Sequence, residues 1–538
     1  MKADKRMNAG VATIKETISD EAGLILQFAN HRLEDLENCV AAIAGCNPAF
    51  ITRRIYIGYF DTADFALHRA GAMLSVRRRG KRFIQTLSST PHREPERAIE
   101  WCREVRAFMP DLMELEQVLA AQWEVSLKEL AIEPAFVIKV RRRECRLKIG
   151  ASAVDVVIDQ GTIASGVHAR PVSEVKLTLA SGQPHTVYEA AACIFKSHRF
   201  TLSTMSQAMR GFSIAIGQPP EFSKFVPLTL DQQGSGDIAI IRILRGFQNH
   251  VLANHDAAAD GRNPEGVHQL RIGLRRLRSA LRLLRGIMPP ETLGGFRQDA
   301  RSAANACSAA RNWDVFLTET LPKIVDGCKN FGDFGSLQLA AERQRGEAYD
   351  SVRHMLSAEP YVRFHLALGM WIGGPEWQTC AMVSPSLSGP VTSFATAVLI
   401  DSHRRVHKRG DHFRRLSPQA LHRLRVAAKN LRYIADSLGS VMGDLTRKQK
   451  RTRRYFRALS RLQTQIGYAN DMATTRQLIE ALGNDRWNTP AVWQAAGVVV
   501  GWSAHSVAES NVLLRMAWRA FRRCEPPWSH SSVHRWPH

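Results

Sequence analysis

The spacing of apolar positions changes near residue 218. Before it, apolar residues alternate with polar ones in short runs bounded by turn residues. These runs are IYIGYFDT (Ile55–Thr62), GAMLSVRRRGKRFIQTLS (Gly71–Ser88), SAVDVVIDQGTI (Ser152–Ile163) and SEVKLTLASGQ (Ser173–Gln183). Alternation rich in β-branched and aromatic residues predicts strands. Helical spacing in this part is confined to windows near residues 18–44, 110–131 and 186–195. The expectation is a mostly antiparallel sheet or barrel with peripheral helices. QPPEFSKFVPLTLDQQGSGD (Gln218–Asp237) is rich in Pro, Gly and polar residues and reads as a linker. From Ile238 onward the spacing is almost wholly helical, interrupted at GGPEWQTCAMVSPSLSGP (Gly373–Pro390), so the chain as a whole reads as α+β. The closing stretch EPPWSHSSVHRWPH reads as a frayed tail.

The helical part writes one pattern twice. VHQLRIGLRRLRSALRLL begins at Val267 and LHRLRVAAKNLRYIADSL begins at Leu421, an offset of 154 residues (421 − 267). An internal duplication of this length predicts two related helical bundles, not a solenoid. On a helix, His268, Arg271, Arg275, Arg278 and Arg282 share an arc of roughly 80°, and Val267, Leu270, Leu274, Leu277, Leu281 and Leu284 an adjoining arc of roughly 100°. The second copy repeats this with His422, Arg425, Lys429 and Arg432 beside Leu421, Leu424, Leu431, Ala435 and Leu438. A face that only confers solubility would lie opposite the core. Bases that flank the core have packed stems and heads lining a groove. Like charges on successive turns repel, and a bound anion relieves that repulsion. Guanidinium groups suit phosphate because their donors bind it in pairs.

Charge sharpens this reading. The 538 residues carry a net charge of +23, with a sequence pI of about 10.1. Roughly +5 of it falls in residues 1–220 and roughly +18 in the rest. A polyanionic partner engaging the second half is expected: a phosphate polymer, nucleic acid or an anionic membrane. The nine cysteines include no CxxC pair, which argues against a zinc ribbon or disulfide framework and for a reducing, cytoplasmic setting. No signal peptide is expected from the polar first residues. The longest apolar run, Ala495–Ala504, is too short to span a bilayer and reads as a buried helix. No P-loop or dinucleotide fingerprint is present. His403 and His407 have metal-pair spacing, but their basic surroundings and the lack of an intervening Glu point to an extension of the polyanion surface.

The stretches PEGVHQLRIGLRRLRSALRLL, ARNWDVF (Ala310–Phe316), LHRLRVAAKNLRYIADSL and LQTQIGYANDM (Leu462–Met472) resemble, in combination, the CHAD family, the conserved histidine α-helical domain. The resemblance covers about residues 238–528, with halves at about 238–372 and 391–528. It implies two four-helix bundles about a pseudo-twofold axis and a basic cleft that binds inorganic polyphosphate, and it extends to polyphosphate granules as a location. By motif position, His268, Arg271, Arg275 and Arg278, with His422, Arg425, Lys429 and Arg432, carry over as contacts, and Arg282 extends the first row. Asp314 and Asp471 are expected to orient bases or cap helices.

GYFDTADFALHRAGAMLSVRRRGKRFIQTL (Gly58–Leu87) resembles the CYTH family of triphosphate tunnel metalloenzymes, with a match running from about Val11 to Gly217 inside a domain taken as residues 1–217. That implies an antiparallel β-barrel whose tunnel holds triphosphate on bases and Mg²⁺ or Mn²⁺ on alternating carboxylates. This chain departs from the pattern. VATIK keeps Lys15 but has Val11 and Thr13 where carboxylates belong. Ser75 and Ser88 replace bases, and Cys102, Lys176 and Thr178 interrupt or replace acids. A hard divalent ion needs several oxygen ligands. Glu100, Asp159 and Glu174, with Asp155, remain as weak metal candidates, and Lys15, Arg77, Arg141, Arg142 and Arg143 as residual anion contacts. The expected function is polyphosphate binding, requiring no cofactor, beside a barrel without triphosphatase activity. Mg²⁺ or Mn²⁺ enters only if the barrel is active. The rival readings are a metal-dependent triphosphatase or polyphosphatase, and a nucleic-acid-binding protein. The latter lacks base-stacking aromatics among its bases, Tyr433 excepted.

Overall fold

Alternation in the first part builds strands as expected. In the computed structural model, which describes residues 13–17, 23–29, 33–44, 48–89, 98–123, 131–328, 331–382, 384–442, 449–482 and 489–528, ten strands form one antiparallel sheet. They are β1 (Thr13–Thr17), β2 (Gly23–Gln27), β3 (Ile51–Thr62), β4 (Ala72–Arg79), β5 (Arg82–Ser89), β6 (Ala98–Val105), β7 (Ile132–Ile149), β8 (Ser152–Ser165), β9 (His168–Ser181) and β10 (Thr201–Ser203). Their order is β1-β6-β5-β4-β3-β7-β8-β9-β2-β10. Among the described residues, the pairings form one series from β1 to β10, with none joining its ends.

The window 18–44 is corrected: GLILQ is β2, and among the described residues of the window only Leu33–Ala44 is helix (α1). Leu24 and Leu26 are buried with period two, and β2 is paired on both sides, by β9 and β10. Pairing with two neighbours overrides a weak helical pattern. Four further helices, α2 (Ala66–Ala70), α3 (Leu112–Trp123), α4 (His185–Ser197) and α5 (Gln207–Ile216), belong to this part. Leu115 and Leu119 of α3 cover one apolar cluster around Trp101, Leu74 and Leu87. Ala208, Met209 and Phe212 of α5 cover another around Phe136, Ile138, Val140 and Ile55. Gly211 permits this close seating: a Cβ there would lie 2.0 Å from the Phe136 ring.

The helical part comprises α6 (Gly236–Ala253), α7 (His255–Asp260), α8 (Glu265–Leu283), α9 (Pro290–Ala306), α10 (Ser308–Val315), α11 (Leu321–Gly327), α12 (Phe334–Ser357), α13 (Glu359–Trp371), α14 (Pro375–Met382), α15 (Pro385–Ser388), α16 (Val391–Arg409), α17 (Pro418–Leu438), α18 (Gln449–Leu482) and α19 (Pro490–Arg522). The chain divides into two compact units, residues 1–223 with 255–262 and residues 224–254 with 263–538. The short α7 therefore belongs with the sheet, where Ser203 donates to Asp256 at 2.7 Å. The run Ala495–Ala504 lies inside α19, with Ala495, Ala496 and Val499 buried. Among the described residues, no helix is long and apolar enough to cross a membrane. The tail, residues 529–538, lies outside the described residues.

The duplication is visible in how the two repeated helices start and cross. Asn263 precedes Pro264 at the start of α8, and Ser417 precedes Pro418 at the start of α17, again 154 apart (417 − 263). Asn263 Oδ1 accepts from the Glu265 amide at 3.0 Å, and Ser417 Oγ accepts from the Ala420 amide at 3.2 Å. Each polar side chain satisfies an otherwise free helix-end donor. Where the helices cross, Ser279 Oγ meets Asn430 Oδ1 at 2.8 Å, and the Arg276 guanidinium lies 5.5 Å from the Tyr433 ring centre. The offset maps Ser279 to Tyr433 and Arg276 to Asn430. The two contacts are thus images of one another, the signature of a twofold axis between α8 and α17.

Candidate functional site

The apolar edge of α8 is core: Val267, Leu270, Leu274, Leu277, Leu281 and Leu284 are all buried. Leu424, Leu431, Ala435 and Leu438 of α17 are buried too, while Leu421 is half-buried. Beside these edges His268, Arg271, Arg275, Arg278 and Arg282 are half-buried, as are Arg425 and Lys429. The bases therefore hold stems in packed surroundings and heads at its margin.

The charged heads sort into two groups. In the first, Arg271, Arg275, Arg425 and Lys429 act on one another. Burial pushes Lys429 down to about 6, helped by Arg275, Arg425 and Arg271 and opposed by Asp471. Burial lowers Arg271 to about 10, opposed by Cys307 and helped by Arg275, Arg311 and Arg425. His268 is brought to about 4 by burial and Arg311, opposed by Glu265, with Arg275 and Arg271 adding to the repulsion. Nη1 of Arg271 is buried and has no hydrogen-bond partner among the described residues. Both copies thus contribute bases to one like-charged cluster.

The remaining stripe residues fall elsewhere. Arg282 is lowered to about 10 by burial, with Arg297, Arg278, Arg285 and Arg405 around it. Arg278 stands between the groups, near Arg301, Arg297 and Arg275. Arg432 is exposed and donates to Ser460 Oγ at 3.0 Å, with Asp436 at 3.9 Å. His422 is exposed. Sequence reasoning missed Arg311, which faces His268 from α10, because no periodicity on α8 reports it. Asp471 does act on Arg425 and Lys429. Asp314 accepts from Arg345 Nε at 2.7 Å and Tyr349 Oη at 2.9 Å, and so orients a base of α12. The face of Tyr433 is occupied by Arg275 and Arg276, at 5.6 and 5.5 Å, not free for a base.

His403 and His407 were expected on the polyanion surface and are corrected to the core. His403 Nδ1 lies 2.8 Å from Tyr455 Oη, and both rings pack against Phe521. Arg405, Lys408 and Arg409 of the same helix do reach a surface cavity of about 850 Å³.

In the sheet unit the buried acids are taken up by internal partners, while Arg77 keeps a buried Nε with no hydrogen-bond partner among the described residues. Asp159 and Glu174 face each other across β8 and β9 and are only 3% and 4% exposed. Arg142 donates to both Asp159 oxygens, at 2.8 and 2.7 Å. Gln207 of α5 donates to Asp159 at 2.7 Å and Glu174 at 2.8 Å, and Arg210 pairs with Glu174. Glu100 is exposed opposite Lys15, whose side chain lies outside the described residues. Asp155 is held by Arg146 at 2.6 Å. Among the described residues, no group of three or more His, Cys, Asp or Glu could hold a metal. The described acids therefore do not fit Mg²⁺ or Mn²⁺. Strand alternation also separates the expected anion contacts. Arg142, two residues from Val140, shares the face of Arg77. Arg141 and Arg143 point the other way, and Arg143 pairs with Glu37 of α1.

The CYTH domain profile matches residues 35–212 and the CHAD domain profile residues 242–480. Among solved structures, the CHAD domain from the plant Ricinus communis is 25% identical, with a TM-score of 0.48, covering 56% of this chain and 96% of that one. PptA from Streptomyces chartreusis is 12% identical, with a TM-score of 0.38, covering 53% of this chain and 100% of that one. HpAC1 from Hippeastrum, a protein with a dominant triphosphatase activity, is 12% identical, with a TM-score of 0.25, covering 37% and 96%. The chain belongs to the proteins in which a CYTH domain is followed by a CHAD domain.

Proposed function

We propose that the helical unit binds inorganic polyphosphate through the cluster of His268, Arg271, Arg275, Arg425 and Lys429, and that the sheet unit performs no metal-dependent phosphoryl chemistry. One observation carries the reading. Two repeated helices bring half-buried cations together until burial and mutual repulsion press Lys429 to about 6. Such a cluster costs folding energy unless an anion is present to offset it. The CHAD resemblance implies the same ligand. A linear phosphate chain displaces counterions as it binds, so affinity falls steeply with salt. By analogy with single-stranded nucleic acid, four neutralised charges give a log–log slope of about −3.

The location proposed is the cytoplasm, at polyphosphate granules. The test is titration of the purified chain with long-chain polyphosphate at several salt concentrations, while phosphate release is followed with Mg²⁺ or Mn²⁺ present. Saturable, salt-sensitive binding without release is expected. RNA at equal phosphate concentration should compete weakly; equal competition would make the site a general polyanion surface.

A further inference from the structure

The cavity of about 850 Å³ in the helical unit is not a continuation of that cluster. On α17, Arg423, Ala427, Asn430 and Ile434 line it. These four share an arc of roughly 60°, whereas Arg425 and Lys429 lie roughly 150° away around the same helix. α17 thus stands between them. α8 passes α17 at the Ser279–Asn430 contact. Its earlier residues Arg271 and Arg275 reach the first cluster, and its later residue Arg282 reaches the cavity.

The cavity's cations come from several sides. Arg282 and Arg297 are half-buried, and Arg405, Lys408, Arg409 and Arg423 are exposed around them. Asp411 is the single carboxylate in the lining. Nε of Arg282 is buried without a hydrogen-bond partner among the described residues. At the matching position of the first copy there is, among the described residues, only a small pocket, around Arg276, Ala280, Tyr433 and Ser437. Ala427 corresponds to Gly273 (427 − 154), where a Cβ would lie 2.7 Å from Val251.

We propose that this cavity is a second anion site that takes a compact ligand, several phosphate groups on a small core, rather than a stretch of linear polymer. Charges converging from α8, α9, α16 and α17 match groups that radiate from a centre. The volume falls within the usual range for small-molecule sites, roughly 300–1,000 Å³. Guanidinium donors suit each phosphate. The ligand is either a phosphorylated ring or a short oligophosphate, and the two probes below separate them.

The experiment is calorimetric titration of the full chain with inositol hexakisphosphate, with tripolyphosphate and with long-chain polyphosphate. Arg297→Ala with Arg405→Ala should weaken at least one compact probe by about 100-fold, the loss expected for two charge-assisted bonds. Long-chain binding should change little. Arg271→Ala with Arg425→Ala should do the reverse. The pair Arg297→Lys with Arg405→Lys keeps charge and should retain most compact binding, which distinguishes lost contacts from lost fold. Arg423→Glu, on the exposed rim, tests the cavity without disturbing its floor. Equal losses of compact and long probes would overturn the proposal, because the two groups would then be one site joined through Arg278. Unchanged compact binding would also overturn it and leave a solvated basic surface. Compact binding that survives without any long-chain binding would defeat the proposed function and leave the cavity site standing.

Discussion

The two units hold arginine in opposite ways. In the sheet, Arg142, Asp159, Gln207, Glu174 and Arg210 form a chain in which every charge has an opposite neighbour. In the helical unit, the charges acting on Arg271 and Lys429 are mainly other bases, opposed by the Cys307 thiol and by Asp471. A neutralised network stabilises its own fold and leaves no field for a ligand. A like-charged cluster does the reverse: it strains the free protein and rewards an anion. In the first unit Asp159 and Glu174 are taken up by internal partners; in the second, like charges crowd together with few acids beside them.

The sharpest way to break this contrast is to remove one base from each copy. Arg271→Ala with Arg425→Ala should weaken long-chain polyphosphate by about 100-fold, at about 1.5 kcal/mol or more per charge-assisted contact. Arg453→Ala with Arg454→Ala, both exposed on α18, should cost much less at equal change in net charge. Equal losses would reduce the attraction to net charge alone.

In the sheet the corresponding cut should act on stability. Asp159→Ala strips half-buried Arg142 of both its short hydrogen bonds and leaves it Glu144 at 3.8 Å, and chemical denaturation should report a loss of about 3 kcal/mol. Polyphosphate affinity should not change; a parallel loss would mean that the sheet shares in binding.

A third test uses pH. Phosphate beside Lys429 favours its protonated form, so binding takes up a proton wherever the free group, at about 6, is neutral. Affinity should therefore fall as pH rises from 6 to 8, by up to about tenfold per pH unit. Lys429→Met should flatten that fall. Folding of the free protein is linked in the opposite direction. The unfolded lysine keeps its proton up to about 10.4, so stability rises with pH above about 6. A pH-independent affinity in the unaltered protein would remove Lys429 from the site.

The smallest expected signal is in catalysis. With Mg²⁺ or Mn²⁺ and tripolyphosphate, release should stay at background, and Glu174→Ala should change nothing in that assay. Release that disappears in Glu174→Ala would restore the enzyme reading and count against acids taken up by internal partners.

Much of this was legible in the residues. Period-two runs marked β3, β4, β5, β8 and β9, because one-sided burial repeats along a strand. The six buried apolar residues of α8 followed from helical spacing alone. The repeated cap-and-proline starts, the offset of 154 and the bases beside the core are likewise properties of sequence. Where the reading failed, short range was not enough. GLILQ became β2 because β9 and β10 pair with it. His403 and His407 went inward because α18 and α19 supply aromatic partners.

Sequence by itself determined which residues carry charge, which edge of each helix is core, and that the pattern occurs twice, because these depend on local periodicity. It could not determine which charges meet. Whether Arg142 finds Asp159, whether Lys429 finds Arg275, and whether Arg282 turns toward one group or another depend on how separate elements cross. Electrostatic energy depends on those distances and on burial, and tertiary packing alone sets both.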